Sequence, residues 1–88
     1  MDHKDALKEA AVLLSIRNQE YGEARECFDR IAALASIMSG KQITSYDIAI
    51  IMVAVKMGRL QESRQKKDTY IDAINYLAFA SEFANAGN

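Results

Sequence analysis

Charged side chains set into apolar helical stretches are where this chain can hold chemistry. Lys56 and Arg59 stand three apart at the end of the run Ile48-Ala49-Ile50-Ile51-Met52-Val53-Ala54-Val55, so on a helix they share a face. Asp68 and Asp72 are four apart, and Asn75 and Tyr76 follow one turn later among Ile, Leu and Ala. Glu23 and Glu26 lie three apart just after Tyr21-Gly22, with Glu20 before them. Carboxylates at such spacings on two facing helices suit Mg²⁺, a hard cation that takes oxygen ligands and keeps waters and substrate phosphates around it. A lysine and an arginine beside them would meet phosphate oxygens, arginine in the bidentate manner. Such a set orients and activates water for attack on phosphorus. The expected metal ligands are Glu20, Glu23, Glu26, Asp68 and Asp72, with Glu23 and Asp72 the catalytic pair. Lys56, Arg59, Asn75, Tyr76 and Tyr21 are expected to contact substrate.

Each group also has a plainer reading. Glu23 and Glu26 complement a helix dipole in a first turn, and Lys56 and Arg59 do so in a last turn. Asp68 has the chemistry of an N-cap. Asp72 lies past the first turn beside apolar positions, which points to a buried network or a functional role. The tyrosines at 21, 46, 70 and 76 suit packing with a bonded hydroxyl as well as stacking on a base. Cys27 sits on an apolar stripe and reads as a small buried hydrophobe. No Ser-His-Asp set, phosphate-cradling glycine loop or zinc spacing is present.

The elements that must position these groups are helices. Leu7, Ala11 and Leu14, with Val12, form an apolar stripe over roughly residues 4–18, opposite Lys4, Lys8, Glu9 and Arg17. The cluster Asn18-Gln19-Glu20-Tyr21-Gly22 interrupts it, and Gly22 is the natural point of reversal. A second helix over roughly 23–39 aligns Ala24, Cys27, Phe28, Ile31, Leu34, Ala35 and Met38 and stops at Ser39-Gly40, where glycine caps it. Thr44 or Ser45 starts a third helix over roughly 45–61, with Asp47 in its first turn. That helix is apolar almost all round and needs cover on every side, more than three short neighbours supply. The polar stretch Gln61–Lys67 reads as an exposed loop. A fourth helix runs from about Asp68 to Ala84 with Ile71, Ile74, Leu77, Ala78 and Phe83 facing inward.

Composition agrees with an all-α, four-helix bundle-like single domain over residues 1–88. Half the residues are apolar, proline is absent and there are four glycines. A domain of this length buries only roughly 60% of its unfolded surface, and its core supplies no more than ~3–5 kcal/mol. With one cysteine no internal disulfide forms, so association is the remaining source of stability and a homo-oligomer is expected. A net charge of −1 and a pI near 5.7 argue against a general nucleic-acid or membrane-surface binder. No apolar run reaches the ~20 residues of a membrane span. The charged start Met1-Asp2-His3-Lys4-Asp5 does not resemble a signal peptide. The expected compartment is the cytoplasm.

Read together, Glu20-Tyr21-Gly22, Ile31-Ala32-Ala33-Leu34, Ile43-Thr44-Ser45-Tyr46-Asp47-Ile48-Ala49, Met52 to Leu60 and Asp68 to Tyr76 cover most of the chain. In order and spacing they resemble the small, often phage-encoded MazG-like proteins, including the nucleotide-modification-associated domain, with their pattern YG…KxxR…DxxxDxxxY. The resemblance implies an all-α nucleoside triphosphate pyrophosphohydrolase fold whose members form dimers or tetramers around shared helices. It also implies Mg²⁺ held by glutamates of one helix and an acidic pair of a later one. Glu20 and Glu23 match the spaced pair of the ExxE portion of an EExxE motif, with Gln19 in the leading place. Asp72 matches the aspartate of an ExxD motif, with Thr69 where the glutamate stands and Asp68 one turn earlier. Both departures bear on the metal site and on catalysis; neither bears on the fold.

The function expected from these features is binding of a nucleotide or another phosphorylated small molecule, with Mg²⁺-dependent pyrophosphohydrolysis between the α- and β-phosphates as its enzymatic form. Two alternatives stay open. One is a non-enzymatic, phage-encoded protein that binds a host or viral protein through its helical surface; the other is a purely structural assembly module.

Overall fold

The computed structural model describes residues 1–85, except the side chain of Tyr21. Four helices account for most of them: α1 (His3–Tyr21), α2 (Ala24–Ser39), α3 (Ser45–Arg59) and α4 (Lys67–Asn85). No strand occurs among the described residues.

Local chemistry sets each boundary. Asp2 caps α1, accepting from the Asp5 amide at 2.9 Å, while the Asp5 carboxylate reaches back toward the Asp2 amide. Gly22 ends α1 at φ 80°, ψ −164°, a conformation closed to residues with a Cβ. Gly40 ends α2 in the left-handed region at φ 73°, ψ 17°. Thr44 is the N-cap of α3, accepting from the Asp47 amide at 3.1 Å, and the Asp47 carboxylate accepts from the Thr44 amide at 2.9 Å. Such reciprocal caps are each worth about 1 kcal/mol. Between α2 and α3, the Ser36 hydroxyl accepts from the Ile43 amide and has the Ala32 and Ile43 carbonyls within reach of its single proton, Ala32 the nearer at 2.8 Å.

α4 is the central element. It packs most extensively on α3, and α1 lies against α4, while α2 lies against α3. The start of α2 also reaches the end of α4: Phe28 meets Phe79 and Phe83 at ring-centroid distances of 5.4 and 5.3 Å. The buried cluster comprises Phe28, Ala32, Ile48, Ala49, Ala80 and Phe83, with Tyr46, Met52, Tyr76 and Phe79 against it. Arg25 lays its guanidinium 4.9 Å from the centre of the Phe83 ring.

The inward faces differ in part from those expected. On α1, Ala10 is buried and Leu14 half-buried, but Leu7, Ala11 and Val12 are exposed. On α2, Phe28 and Ala32 face inward while Ile31, Leu34 and Met38 are exposed. On α4, Leu77 and Ala78 are exposed, and Phe79 and Ala80 pack inward in their place. The array is open, so α1 and α2 at its margins each have neighbours on one side only. A helix with two apolar stripes covers only one of them there. α3 likewise leaves Ile50, Ile51, Val55 and Met57 exposed, in keeping with an apolar circumference that three neighbours do not enclose.

Candidate functional site

The last turn of α3, the turn after it and the first two turns of α4 form a polar cleft. Lys56, Arg59, Glu62, Ser63, Lys66, Asp68, Thr69 and Asp72 line a cavity of 420 Å³ there. At its floor the Lys56 ammonium donates to the Asp72 carboxylate at 3.0 Å, with side chains only 12% and 20% exposed. This pair joins α3 to α4 where both helices are otherwise apolar. An ion pair removed this far from water keeps its partners ordered, because losing either leaves an uncompensated charge.

Arg59 extends from the same face as Lys56, one turn along, and is exposed. Neither Arg59 nor Lys66 has a carboxylate within ion-pair distance among the described residues. Asp68 lies in the first turn of α4, not at the N-cap, because the helix starts one residue earlier; its charge still faces the positive end of the dipole. The loop is held in shape. The Tyr70 hydroxyl donates to the Arg64 carbonyl at 2.7 Å, and successive turns bond Glu62 and Ser63 to the Arg59 carbonyl.

The other expected site residues fall elsewhere. Asn75 donates its side-chain amide to the Ala10 carbonyl at 3.0 Å, a tether between α4 and α1. Tyr76 packs edge-on against Phe28 at 6.2 Å. Both line a small cavity of 120 Å³, together with Arg17, Asp72 and Phe79; it joins the far side of Asp72 to the aromatic core. The Tyr21 side chain lies outside the described residues.

Glu23 lines a different cleft with Asn18, Arg25 and Glu82. Glu82 is about 15 Å along α4 from Asp72, at 1.5 Å per residue. Glu20 and Glu26 are exposed. The expected gathering of Glu20, Glu23 and Glu26 with Asp68 and Asp72 does not occur in the protomer, because the start of α2 packs against the end of α4 and not against its beginning. No three acidic, histidine or cysteine side chains among the described residues stand close enough to hold a metal ion. The carboxylates are thus divided, with Asp68 and Asp72 in the α3–α4 cleft and Glu23 in the other, and Arg59 and Lys66 line the first cleft beside the Lys56–Asp72 pair.

Sequence reasoning passed over Lys66, Glu62 and Ser63, which it assigned to an open loop. The usable signal was the shortness of that loop. A connection from the end of α3 to the start of α4 cannot avoid covering the cleft those two ends create.

A second polar contact lies at the start of α3. The buried Ser45 hydroxyl donates to the Asp29 carboxylate at 2.5 Å, and Arg25 donates to the same oxygen at 3.0 Å. The Ser45 hydrogen bond, with Arg25 adding to it, holds the Asp29 carboxyl below the usual carboxylate range against the opposing effect of desolvation.

No helix among the described residues is long and apolar enough to cross a membrane. The chain is 36% identical over 61 residues to the Gene 55 protein of Mycobacterium phage L5, an alignment covering 68% of this chain and 39% of the relative. It is 35% identical over 60 residues to the Gene 55 protein of Mycobacterium phage D29, covering 68% and 40%. It thus spans about two fifths of the length of these phage relatives. No solved structure matches it. Residues 5–84, nearly the whole chain, match a domain of unknown function, and the chain belongs to that family, DUF6378.

Proposed function

We propose that the α3–α4 cleft binds the phosphate groups of a nucleotide or similar phosphorylated small molecule, and that the chain does so as a homo-oligomer of the MazG-like kind. The supporting observation is that Arg59 and Lys66 stand in the cleft without carboxylate partners, above a Lys56–Asp72 pair that fixes the floor. Guanidinium and ammonium donors so placed suit phosphate oxygens. The Lys56–Asp72 pair keeps Lys56 directed along the cleft. Asp68 and Glu62 line the same cleft and limit how much negative charge it accepts. With the acidic residues divided between two clefts, the reading rests on binding and assigns no hydrolytic step.

Isothermal titration with inorganic pyrophosphate, ATP and dATP, with and without Mg²⁺, tests it. Saturable binding that weakens by roughly 10- to 150-fold in Arg59→Ala is expected, from the roughly 1.5–3 kcal/mol carried by a hydrogen bond to a charged group. Absence of binding and of any ligand-induced rise in Tm sinks the reading, and pyrophosphate release with any nucleotide restores the hydrolase.

A second reading, a protein-binding factor without chemistry, is favoured by one observation. Ala6, Val53, Met57, Tyr70, Ile74 and Leu77 border an apolar groove of 390 Å³ between the start of α1, α3 and α4. Under that reading Leu77→Glu abolishes partner binding and Arg59→Ala does not affect it.

A further inference from the structure

The outer side of α2 is the largest feature that the cleft leaves unexplained. Ala24, Cys27, Ile31, Leu34 and Met38 recur at alternating intervals of three and four residues, the spacing at which one helix seats its side chains between those of another. Ala24 is drawn into the core's margin, but Leu34 is 61% exposed and Met38 85% exposed, and Ile37 beside them is 79% exposed. The inner face of the helix is already used by Phe28 and Ala32, so from Ile31 onward this seam is a second apolar stripe that the protomer leaves exposed.

We propose that the seam of α2 is the face on which a second copy of this chain docks, α2 against α2 in antiparallel orientation. This specifies the surface of the oligomer proposed above and does not depend on what the cleft binds. One feature favours burial of this face against a partner, and a second favours a like partner.

The first is area. The chain exposes 6353 Å², whereas a compact monomer of 9.8 kDa exposes roughly 5,200 Å². The excess of about 1,200 Å², spread over the whole chain, is more than the roughly 800 Å² that one side of a standard interface buries. The radius of gyration, 13.8 Å, is likewise above the roughly 12 Å of a compact chain of this length.

The second is charge. A face that meets its own copy across a two-fold axis sets the same patch against itself, so any charge near the axis meets its like. Residues 31–40 contain no charged side chain. The charges of α2, Arg25, Glu26, Asp29 and Arg30, all lie in its first two turns. Antiparallel pairing about a point between Ile31 and Leu34 sets Ile31 against the second copy's Leu34, and Cys27 against its Met38. It also moves the two charged ends apart, whereas parallel pairing sets Glu26 beside Glu26 and Arg30 beside Arg30.

Light scattering coupled to gel filtration reads the mass, with circular dichroism checking that helix content is kept. The full chain is expected as a dimer, and Leu34→Glu as a species of half that mass. Met38→Lys alters a side chain that contributes almost nothing to the protomer's own packing, so it decides the matter if Leu34→Glu fails to fold. Leu77→Glu, on an exposed apolar position of α4, is expected to keep the dimer. A monomeric wild type overturns the oligomer and its interface together. A dimer that survives both α2 substitutions, or that Leu77→Glu breaks equally, overturns the α2 seam alone. Ready disulfide cross-linking of Cys27 to Cys27 on mild oxidation overturns the antiparallel arrangement, which holds the two Cα atoms about 16 Å apart along the seam, beyond the ~7 Å limit for a disulfide.

Discussion

The two ends of α4 use the same helix for opposite purposes. At its far end Phe79 and Phe83 meet Phe28, and Arg25 lies over the Phe83 ring while it pairs with Asp29. At its near end Asp68 and Asp72 face Lys56, Arg59 and Lys66 around an open cleft, and only one of those three cations is paired. Aromatic rings fill the space between them by packing edge to face. Charges cannot fill space that way, because each must keep a partner or water. Ring packing is thus concentrated at one end of α4 and the cation-rich cleft at the other, along about 27 Å of helix.

Substitutions at the two ends test this separation directly. Phe83→Ala, at a side chain with no exposure, is expected to cost roughly 3–5 kcal/mol in chemical denaturation while leaving pyrophosphate affinity in the surviving folded protein unchanged. A loss below 1 kcal/mol would show that the aromatic end is not the anchor. Lys56→Met, which leaves Asp72 unpaired, is expected to cost about 2 kcal/mol, between the values for exposed and for buried pairs. Adding Asp72→Leu should recover most of it, and a purely additive double variant would mean the two side chains do not act as a pair. Arg59→Ala should move stability by no more than about 0.5 kcal/mol, its effect appearing in ligand affinity alone; a large drop in Tm would place Arg59 with the structural end.

The smallest expected effect is in the acid limb of the stability curve. Asp29 has a folded-state pKa below its ordinary value of 3.8, so its carboxylate adds stability above that value. That contribution is lost as pH falls through the lower folded value. Ser45→Ala should return Asp29 toward 3.8 and flatten the slope below pH 4 in Tm against pH. An unchanged slope would remove the role of the Ser45–Asp29 bond. At the other extreme Lys67, whose pKa is raised by its hydrogen bond to Glu9, adds stability below 10.5 that is lost as pH rises through the folded value.

The helices were legible because their stops are chemical. Gly22, Gly40 and the Thr44–Asp47 pair act through the local backbone, and no distant residue alters them. Which stripe of a helix turns inward was less legible. On α2 the stripe of Ile31, Leu34 and Met38 is the more apolar one, yet the protomer covers Phe28 and Ala32. The ring of Phe28 finds Phe79 and Phe83, and only tertiary arrangement supplies those neighbours. The same cause divided the expected metal site. Glu23 and Asp72 have suitable chemistry, but the sequence carries no sign that α2 begins beside the end of α4. Lys56, Arg59, Asp68 and Asp72 do line one cleft, and they stood out because a charged residue in an apolar helix needs a reason to be there. Asn75 drew attention on the same ground and turned out to hold α1.

The Ser36 hydroxyl has a consequence for how the molecule is made. All of its partners lie within seven residues of it, and the Thr44–Asp47 cap and the Gly40 turn are equally local. Closing so small a loop takes little entropy. The bend between the second and third helices can thus be set while the last quarter of the chain is still being synthesised. The final helix then arrives at a corner whose angle is already fixed, and its aromatic residues seal that corner.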